Sequence, residues 1–230
     1  MQKTYSPEAC FWSFLTLGDS RSLDRSAIIL AGGFSNRLGE DKGLTVLAKK
    51  PLIKHVLDAT KNLTDEVIVV TSSKDQATRY ADVLGSIAQA LIDSESIQSP
   101  LIGALTGLGV ARGKYSVLLS CDIPFVSRDI LSLLFDLCPG RSATIPRWPT
   151  GFIEPLQAVY CTGLAFDAAR NAFSMGKLDL RAMIGGLKGV RYVSTLVLKQ
   201  LDPELRSFFN VNSVLDLRKA ESMLESSSRR

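Results

Sequence analysis

Three polar features, each directly after an apolar run, carry the chemistry of this sequence. The first is Gly32-Gly33-Phe34-Ser35-Asn36-Arg37-Leu38-Gly39-Glu40-Asp41-Lys42, which follows the run at 26–31. Glycines let a backbone turn tightly and bring N–H groups against phosphate oxygens. An arginine engages two phosphate oxygens at once, and a lysine adds a compact point charge. Arg37 and Lys42 in this setting point to a polyphosphate rather than to a turn followed by solvated charges. The segment is neither GxxxxGK[ST] nor GxGxxG, so neither common nucleotide loop applies. The second feature is Asp122, at the end of the run 115–121. A short carboxylate there suits a divalent cation shared with phosphate oxygens; the plainer alternative is a helix N-cap or turn aspartate. The third is Asp93, after 90–92, which either meets a ligand or caps a strand end.

These residues need elements that bring them together. Residues 26–31, 66–71, 90–92 and 115–121 are short apolar runs, and 66–71 is β-branched and continuous, as buried strands are. Between them lie helical patterns. Pro51 opens one carrying Leu52, Ile53, Val56 and Leu57; others are expected over 76–84 and 101–111, the latter despite its glycines. Ser127 caps a further helix whose face is Ile130, Leu131, Leu134 and Leu137, stopped by Pro139-Gly140. The second half is less regular, with strands expected at 142–146, 156–161 and 190–193 and helices at 163–174 and 180–187. Ser213 and Asp216 have the spacing of a capping box opening a last helix to about Glu225. Strands alternating with helices specify an α/β fold: a three-layer α/β/α sandwich around a mostly parallel sheet, with one antiparallel strand in the second half. Ligands of such sheets bind at the carboxyl ends of the strands, where Gly32-Gly33, Asp93 and Asp122 all fall.

Composition excludes other classes. The chain has 230 residues, 46% hydrophobic and 22% charged, which suits one globular domain and no disordered or disulfide-held scaffold. Lys and Arg number 27 against 23 acids, a net charge of +4, and the bases never run longer than two. That is no nucleic-acid footprint, although it suits anionic substrates. No stretch reaches the ~20 apolar residues of a spanning helix, so no membrane partner is expected. Four cysteines without a CxxC and one histidine, His55, give no zinc spacing, and a reduced, cytoplasmic setting is expected. The division expected is an N-terminal extension over 1–25, a domain over 26–225 and a loose tail over 226–230. The apolar patch at 9–17 lacks the flanks of a secretory signal.

The string LAGGFSNRLGEDK resembles the signature of nucleotidyltransferases with a Rossmann-like sheet, L-A-G-G-x-S-x-R-[ML]-G-x-D-K, and within them the molybdenum cofactor guanylyltransferase family. Three further segments match in order: Pro100-Leu101-Ile102-Gly103, Cys121-Asp122-Ile123-Pro124-Phe125, and Phe209-Asn210-Val211-Asn212 with Asp216-Leu217. The resemblance runs over roughly 26–225.

It implies transfer of GMP from GTP to molybdopterin with loss of pyrophosphate, assisted by Mg²⁺. By resemblance, Leu30, Ala31, Gly32 and Gly33 line the GTP site, Lys42 and Arg37 meet its phosphates, Asp122 holds the metal, Asp93 and Thr71 lie near the nucleoside, and Asn210 and Asn212 lie near acceptor and metal. The plainer reading of the two asparagines is a turn before the Ser213 cap. Gly33, where cytidylyl-transferring relatives carry alanine, favours GTP over CTP. Transient contacts with proteins that deliver molybdopterin, and with molybdoenzymes, are implied too. The rival readings are a molybdopterin cytidylyltransferase, a cobinamide-phosphate guanylyltransferase and a nucleotide-binding protein without activity. Ser99 departs from the family's glycine before Pro100, and Ser213-Val214-Leu215 from its threonine-proline-acid start. His55, Cys121 and Trp148 take structural readings, with pterin stacking the alternative for Trp148, and Glu154 takes no chemical role.

Overall fold

The computed structural model describes residues 24–32, 34–35, 40–93 and 97–228. Its core is a seven-stranded sheet: β1 (Arg25–Leu30), β2 (Glu66–Thr71), β3 (Gln89–Ile92), β4 (Tyr115–Ser120), β5 (Ala143–Arg147), β6 (Ala158–Cys161) and β7 (Arg191–Ser194). The spatial order is β7-β5-β6-β4-β1-β2-β3. β1 pairs parallel with β2 and β4, and β2 parallel with β3. The expected antiparallel strand is β6, which runs against both β4 and β5, while β7 returns parallel to β5.

Both faces of the sheet are covered, which is why its strands read as unbroken apolar runs. Alternate residues of β1 enter different layers. Ala27 and Ile29 pack with Val69, Val117 and Leu119 on one face, and Ile28 packs with Ile68, Val70 and Leu118 on the other. The first layer is closed by α1 (Leu52–Thr60), α2 (Lys74–Leu84) and α4 (Arg128–Leu137), the second by α3 (Pro100–Val110), α5 (Thr162–Ser174) and α6 (Leu180–Gly185). A short α7 (Thr195–Leu198) and the C-terminal α8 (Val214–Ser228) complete the chain.

The glycines of α3 have a packing reason. A Cβ on Gly107 would clash with Ile28 Cγ2, and one on Gly103 would sit 3.2 Å from Leu30 Cδ2. The helix therefore lies directly on β1, and its N-terminus comes against the end of the sheet. Ser99 caps it, accepting from Ile102 N at 3.2 Å, with Pro100 in the first turn. The departure at Ser99 thus keeps a good cap. Ser127 caps α4 as expected, accepting from Ile130 N at 3.3 Å.

Four features differ from the sequence expectations. Val46–Leu47 and Lys50–Pro51 form a small antiparallel ribbon, turned by Ala48 and Lys49 at φ 51° and 64°. Pro51 ends this ribbon and is the N-cap of α1, not its first residue. Residues 226–228, read as tail, continue α8: Ser226 is a modest helix former, and neither glycine nor proline intervenes. The helix 195–198 was not anticipated, being too short to show a period.

Candidate active site

The carboxyl ends of β1, β2, β3 and β4 open onto two adjoining cavities. One, of about 320 Å³, is lined by Leu30, Gly32, Val70, Asp93, Ser99 and Gly103 among others. The other, of about 680 Å³, is lined by Asp122, Glu154, Gln157, Arg181, Asn210 and Asn212 among others. Pro100, Ser120 and Leu156 belong to both, so the cavities meet at the end of β4.

Asp122 lines the larger cavity beside the shared Ser120 and is 6% exposed. Its Oδ1 accepts from the Ser120 hydroxyl at 2.6 Å, and its Oδ2 lies 3.4 Å from Lys42 Nζ. The Lys42 ammonium also donates to Asn212 Oδ1 at 2.6 Å. The backbone carbonyl of Asp122 accepts from Val211 N at 2.9 Å, which seats the asparagine segment against the end of β4. Three segments distant in sequence thus converge on one cation–carboxylate–amide cluster. Ser213 and Asp216 lock the far side of that segment: Asp216 N donates to Ser213 Oγ at 3.2 Å, and Asp216 Oδ2 accepts from Ser213 Oγ at 2.7 Å and Asn212 N at 3.2 Å. These bonds, the Ser213 hydroxyl foremost, hold the Asp216 carboxyl below the usual carboxylate range. Asn210 lines the larger cavity and donates to Phe208 O at 3.2 Å.

Asp93 closes the smaller cavity. Its backbone N–H continues the ladder to Thr71 O at 2.8 Å, and its Oδ1 is buried without a partner among the described residues. Burial raises its carboxyl to about 6, against the pull of the Thr106 hydroxyl. An unpaired acceptor in a pocket wall is costly unless a ligand donates to it. Leu30 and Gly32 line this cavity with it, and Ala31 lies buried between them.

Thr71 is not brought to the cavities. Its side chain is fully buried and donates to Leu91 O at 2.8 Å, tying β2 to β3. Gly33 and Arg37 lie outside the described residues. Cys121 points into the core as expected, and burial pushes its thiol up, so it is no nucleophile. Trp148 packs edge-on against Phe208 with ring centroids 5.6 Å apart. Its indole N–H donates to Glu154 Oε1 at 2.6 Å. His55 is half-buried with Nε2 3.1 Å from Leu47 O, a boundary role, and burial lowers its pKa.

Two things escaped the sequence reading. Glu154 lines the larger cavity, and burial pushes its carboxyl up while the Trp148 indole opposes the shift. Asp41, next to Lys42, is 2% exposed and accepts from Gln76 Nε2, from Tyr80 Oη at 2.5 Å and from Gly43 N at 3.3 Å. The only sequence signal for it was the Asp-Lys pair of the phosphate loop.

A buried carboxylate beside an ammonium, between a cavity of nucleoside size and a larger polar one, suits transfer of a phosphorus group between two bound molecules. Comparison with known proteins agrees. Residues 27–190 match the family model described as a MobA-like NTP transferase domain. A probable molybdenum cofactor guanylyltransferase of Methanosarcina mazei is 35% identical over 198 residues, 84% of this chain and 88% of that protein. A molybdenum cofactor guanylyltransferase of Desulfosudis oleivorans is 29% identical over 87% of this chain and 96% of its own length. The crystal structure of molybdopterin-guanine dinucleotide biosynthesis protein A from Archaeoglobus fulgidus superposes with a TM-score of 0.74 at 27% identity, over 87% of this chain and 99% of that one. The family match begins in β1, ends just before β7 and takes in Lys42, Asp93 and Asp122: the chain is a nucleotidyltransferase and belongs to the MobA-like NTP transferase family.

Proposed function

We propose that this chain transfers GMP from GTP to molybdopterin, with release of pyrophosphate. The observation that carries the reading is the Lys42–Asp122–Asn212 cluster, whose Asp122 and Asn212 line the larger cavity and whose Asp122 is hydrogen-bonded to Ser120, shared by both cavities. In this reaction a phosphate oxygen of the acceptor attacks the α-phosphorus of GTP. The bond from that phosphorus to the bridging oxygen breaks, and pyrophosphate leaves opposite the attacking oxygen. The α-phosphate must therefore lie between a donor nucleoside and an acceptor, where the cluster stands. The names of the relatives support the guanine nucleotide and the acceptor.

The chain's own residues supply positioning and charge. Leu30, Ala31, Gly32 and Gly33 line the nucleoside site, and Asp93 Oδ1, which lacks a partner among the described residues, accepts from the nucleoside's N–H or O–H donors. Lys42, with Arg37, neutralises the phosphates and the departing pyrophosphate. Asn210 and Asn212 present amides to the acceptor side. Thr71 serves as framework beneath the nucleoside. Mg²⁺ fits the donor set: Asp122 provides one nearly buried carboxylate beside the Asn212 amide oxygen, and Mg²⁺ binds through one or two carboxylates completed by phosphates and water. Bound there, the ion would neutralise charge on phosphate oxygens. The acceptor's polar groups would meet Glu154, Arg181 and Asn210 in the larger cavity. A cytoplasmic location fits this chemistry; no helix among the described residues is long and apolar enough to cross a membrane. Hand-over from a molybdopterin-delivering protein, and on to molybdoenzymes, would be transient.

The test is product analysis. Protein, Mg²⁺, molybdopterin and each of GTP, CTP, ATP and UTP are incubated and the pterin products are separated. GTP alone should give a pterin–guanine dinucleotide with one pyrophosphate per product. A cytosine dinucleotide would move the chain to the cytidylyl branch. Transfer to a cobinamide phosphate but not to molybdopterin would overturn the acceptor.

A further inference from the structure

Between the ends of β1 and β2 and the residue before Lys42 lies a closed network of buried polar side chains that the proposed function gives no role. Gln76, on the first turn of α2, is 3% exposed and makes every hydrogen bond its amide allows. Its Nε2 donates to Ala31 O at 2.8 Å and to Asp41 Oδ2. Its Oε1 accepts from Ser72 N at 2.7 Å and Ser72 Oγ at 2.9 Å. One side chain thus joins the turn at the end of β1, the end of β2 and the residue before Lys42.

Asp41 completes the network. Its Oδ1 caps the 3₁₀ turn Lys42–Leu44 through Gly43 N and accepts from Tyr80 Oη, one turn of α2 beyond Gln76. A Cβ on Gly43 would clash with the Tyr80 hydroxyl and lie 3.2 Å from Cys121 Cβ, so the close approach needs glycine there. The titratable and charged groups facing the Gln76–Asp41 contact are Tyr80 and Arg79 of α2, the latter 4.0 Å from Asp41 Oδ2, with Cys121 and Lys42 beside it. Burial, with the Asp41 charge beside it, pushes the Tyr80 phenol up, so it stays a donor. Neither Gln76, Asp41 nor Tyr80 lines either cavity. Their effect on a ligand therefore passes through the two things they hold, Ala31 and Lys42.

We propose that Gln76 is a positioning residue that couples the nucleoside-binding turn at Ala31–Gly32 to the phosphate-binding Lys42 through the buried Asp41. The inference rests on the reading that Lys42 contacts nucleotide phosphates, and it holds whatever the acceptor is. Fully satisfied buried networks fix one geometry, and a half-satisfied one is worse than none. Gln76→Glu replaces the donor facing Asp41 with an acceptor and sets two carboxylates together, so the clasp must open or trap a proton.

The experiment is a double-mutant cycle read by titration calorimetry of nucleotide binding with Mg²⁺ present. The proteins are wild type, Gln76→Glu, Lys42→Met and the double variant. Gln76→Glu should weaken binding at least tenfold at pH 7.5 in the wild-type background. In the Lys42→Met background the same change should cost less than threefold, because the contact it positions is already gone. The ratio of Gln76→Glu to wild-type affinity should also recover towards pH 5.5, where the new carboxyl can hold a proton and donate. Equal losses in both backgrounds, or binding within twofold of wild type, would overturn the proposal. Tyr80→Phe, which keeps the ring and removes one donor to Asp41, decides the matter if the Gln76 variants do not fold: a threefold or greater loss that vanishes with Lys42→Met supports the coupling, and no loss overturns it. Failure of wild type to bind GTP while binding another nucleotide would count against the proposed donor alone, and the cycle would be run with that nucleotide.

Discussion

Nucleotide binding should weaken in acid through one residue, Asp93. Its carboxyl is raised from 3.8 to about 6 by burial, and its Oδ1 has no partner among the described residues. A donor-rich ligand such as guanosine binds the ionised acceptor. If only that form binds, the apparent dissociation constant rises roughly twofold at pH 6 and about elevenfold at pH 5, close to 1.4 kcal/mol. A carboxyl left at 3.8 would change affinity by less than about a tenth at pH 5. The assay is titration calorimetry of GTP and Mg²⁺ between pH 5 and 8 on wild type and Asp93→Asn. Titration of the GTP phosphates affects both proteins alike, so the ratio of their constants isolates Asp93. The free protein should show the opposite trend. A carboxyl raised on folding contributes stability fully below about pH 4, and that contribution is lost as pH rises through about 6. Asp93→Asn should therefore raise the unfolding temperature at pH 7.5, change it little at pH 4, and weaken GTP at pH 7.5. An affinity ratio constant across the pH range would refute the account of Asp93.

Other residues give separable outcomes. Asp122→Asn should leave folding intact and lower turnover at least ~100-fold, because it removes the carboxylate beside Lys42; steady-state rates with circular dichroism check this. Glu154→Gln should raise KM for the acceptor while KM for GTP stays within twofold, since Glu154 lines only the larger cavity of the two. Gly107→Ala should destabilise the protein by about 1–3 kcal/mol by forcing α3 away from Ile28, a drop of several degrees in calorimetric unfolding temperature.

The central strands were readable because burial on both faces leaves them mostly apolar along their middles. Residues 66–71 emerge as β2 without a shift at either end. The serine caps at 127 and 213 were readable because capping is local chemistry between a hydroxyl and an N–H three residues on. The ribbon around Ala48-Lys49 was not. Both residues sit at positive φ, where asparagine and glycine are the usual markers, and its geometry follows from how Leu47 and Leu52 pack against α8. Residue type and place single out Lys42 and Asp122 in the sequence, but their contact, and the seating of Asn212 on Lys42, exist only across the folded chain. Thr71 shows the reverse: its position along β2 was right, and the pleat turns its hydroxyl into the ladder rather than the cavity. Asp41 and Gln76 gave little signal, because a buried network is invisible until its members are side by side.

The most direct test of the central claim follows the label. The protein is given molybdopterin with GTP labelled at either the α- or the γ-phosphate. The account predicts that α label enters the pterin product, that γ label leaves with pyrophosphate, and that both transfers vanish in Asp122→Asn. Label from the γ-phosphate in the pterin product would show a kinase, and would contradict nucleotidyl transfer at the Lys42–Asp122 junction.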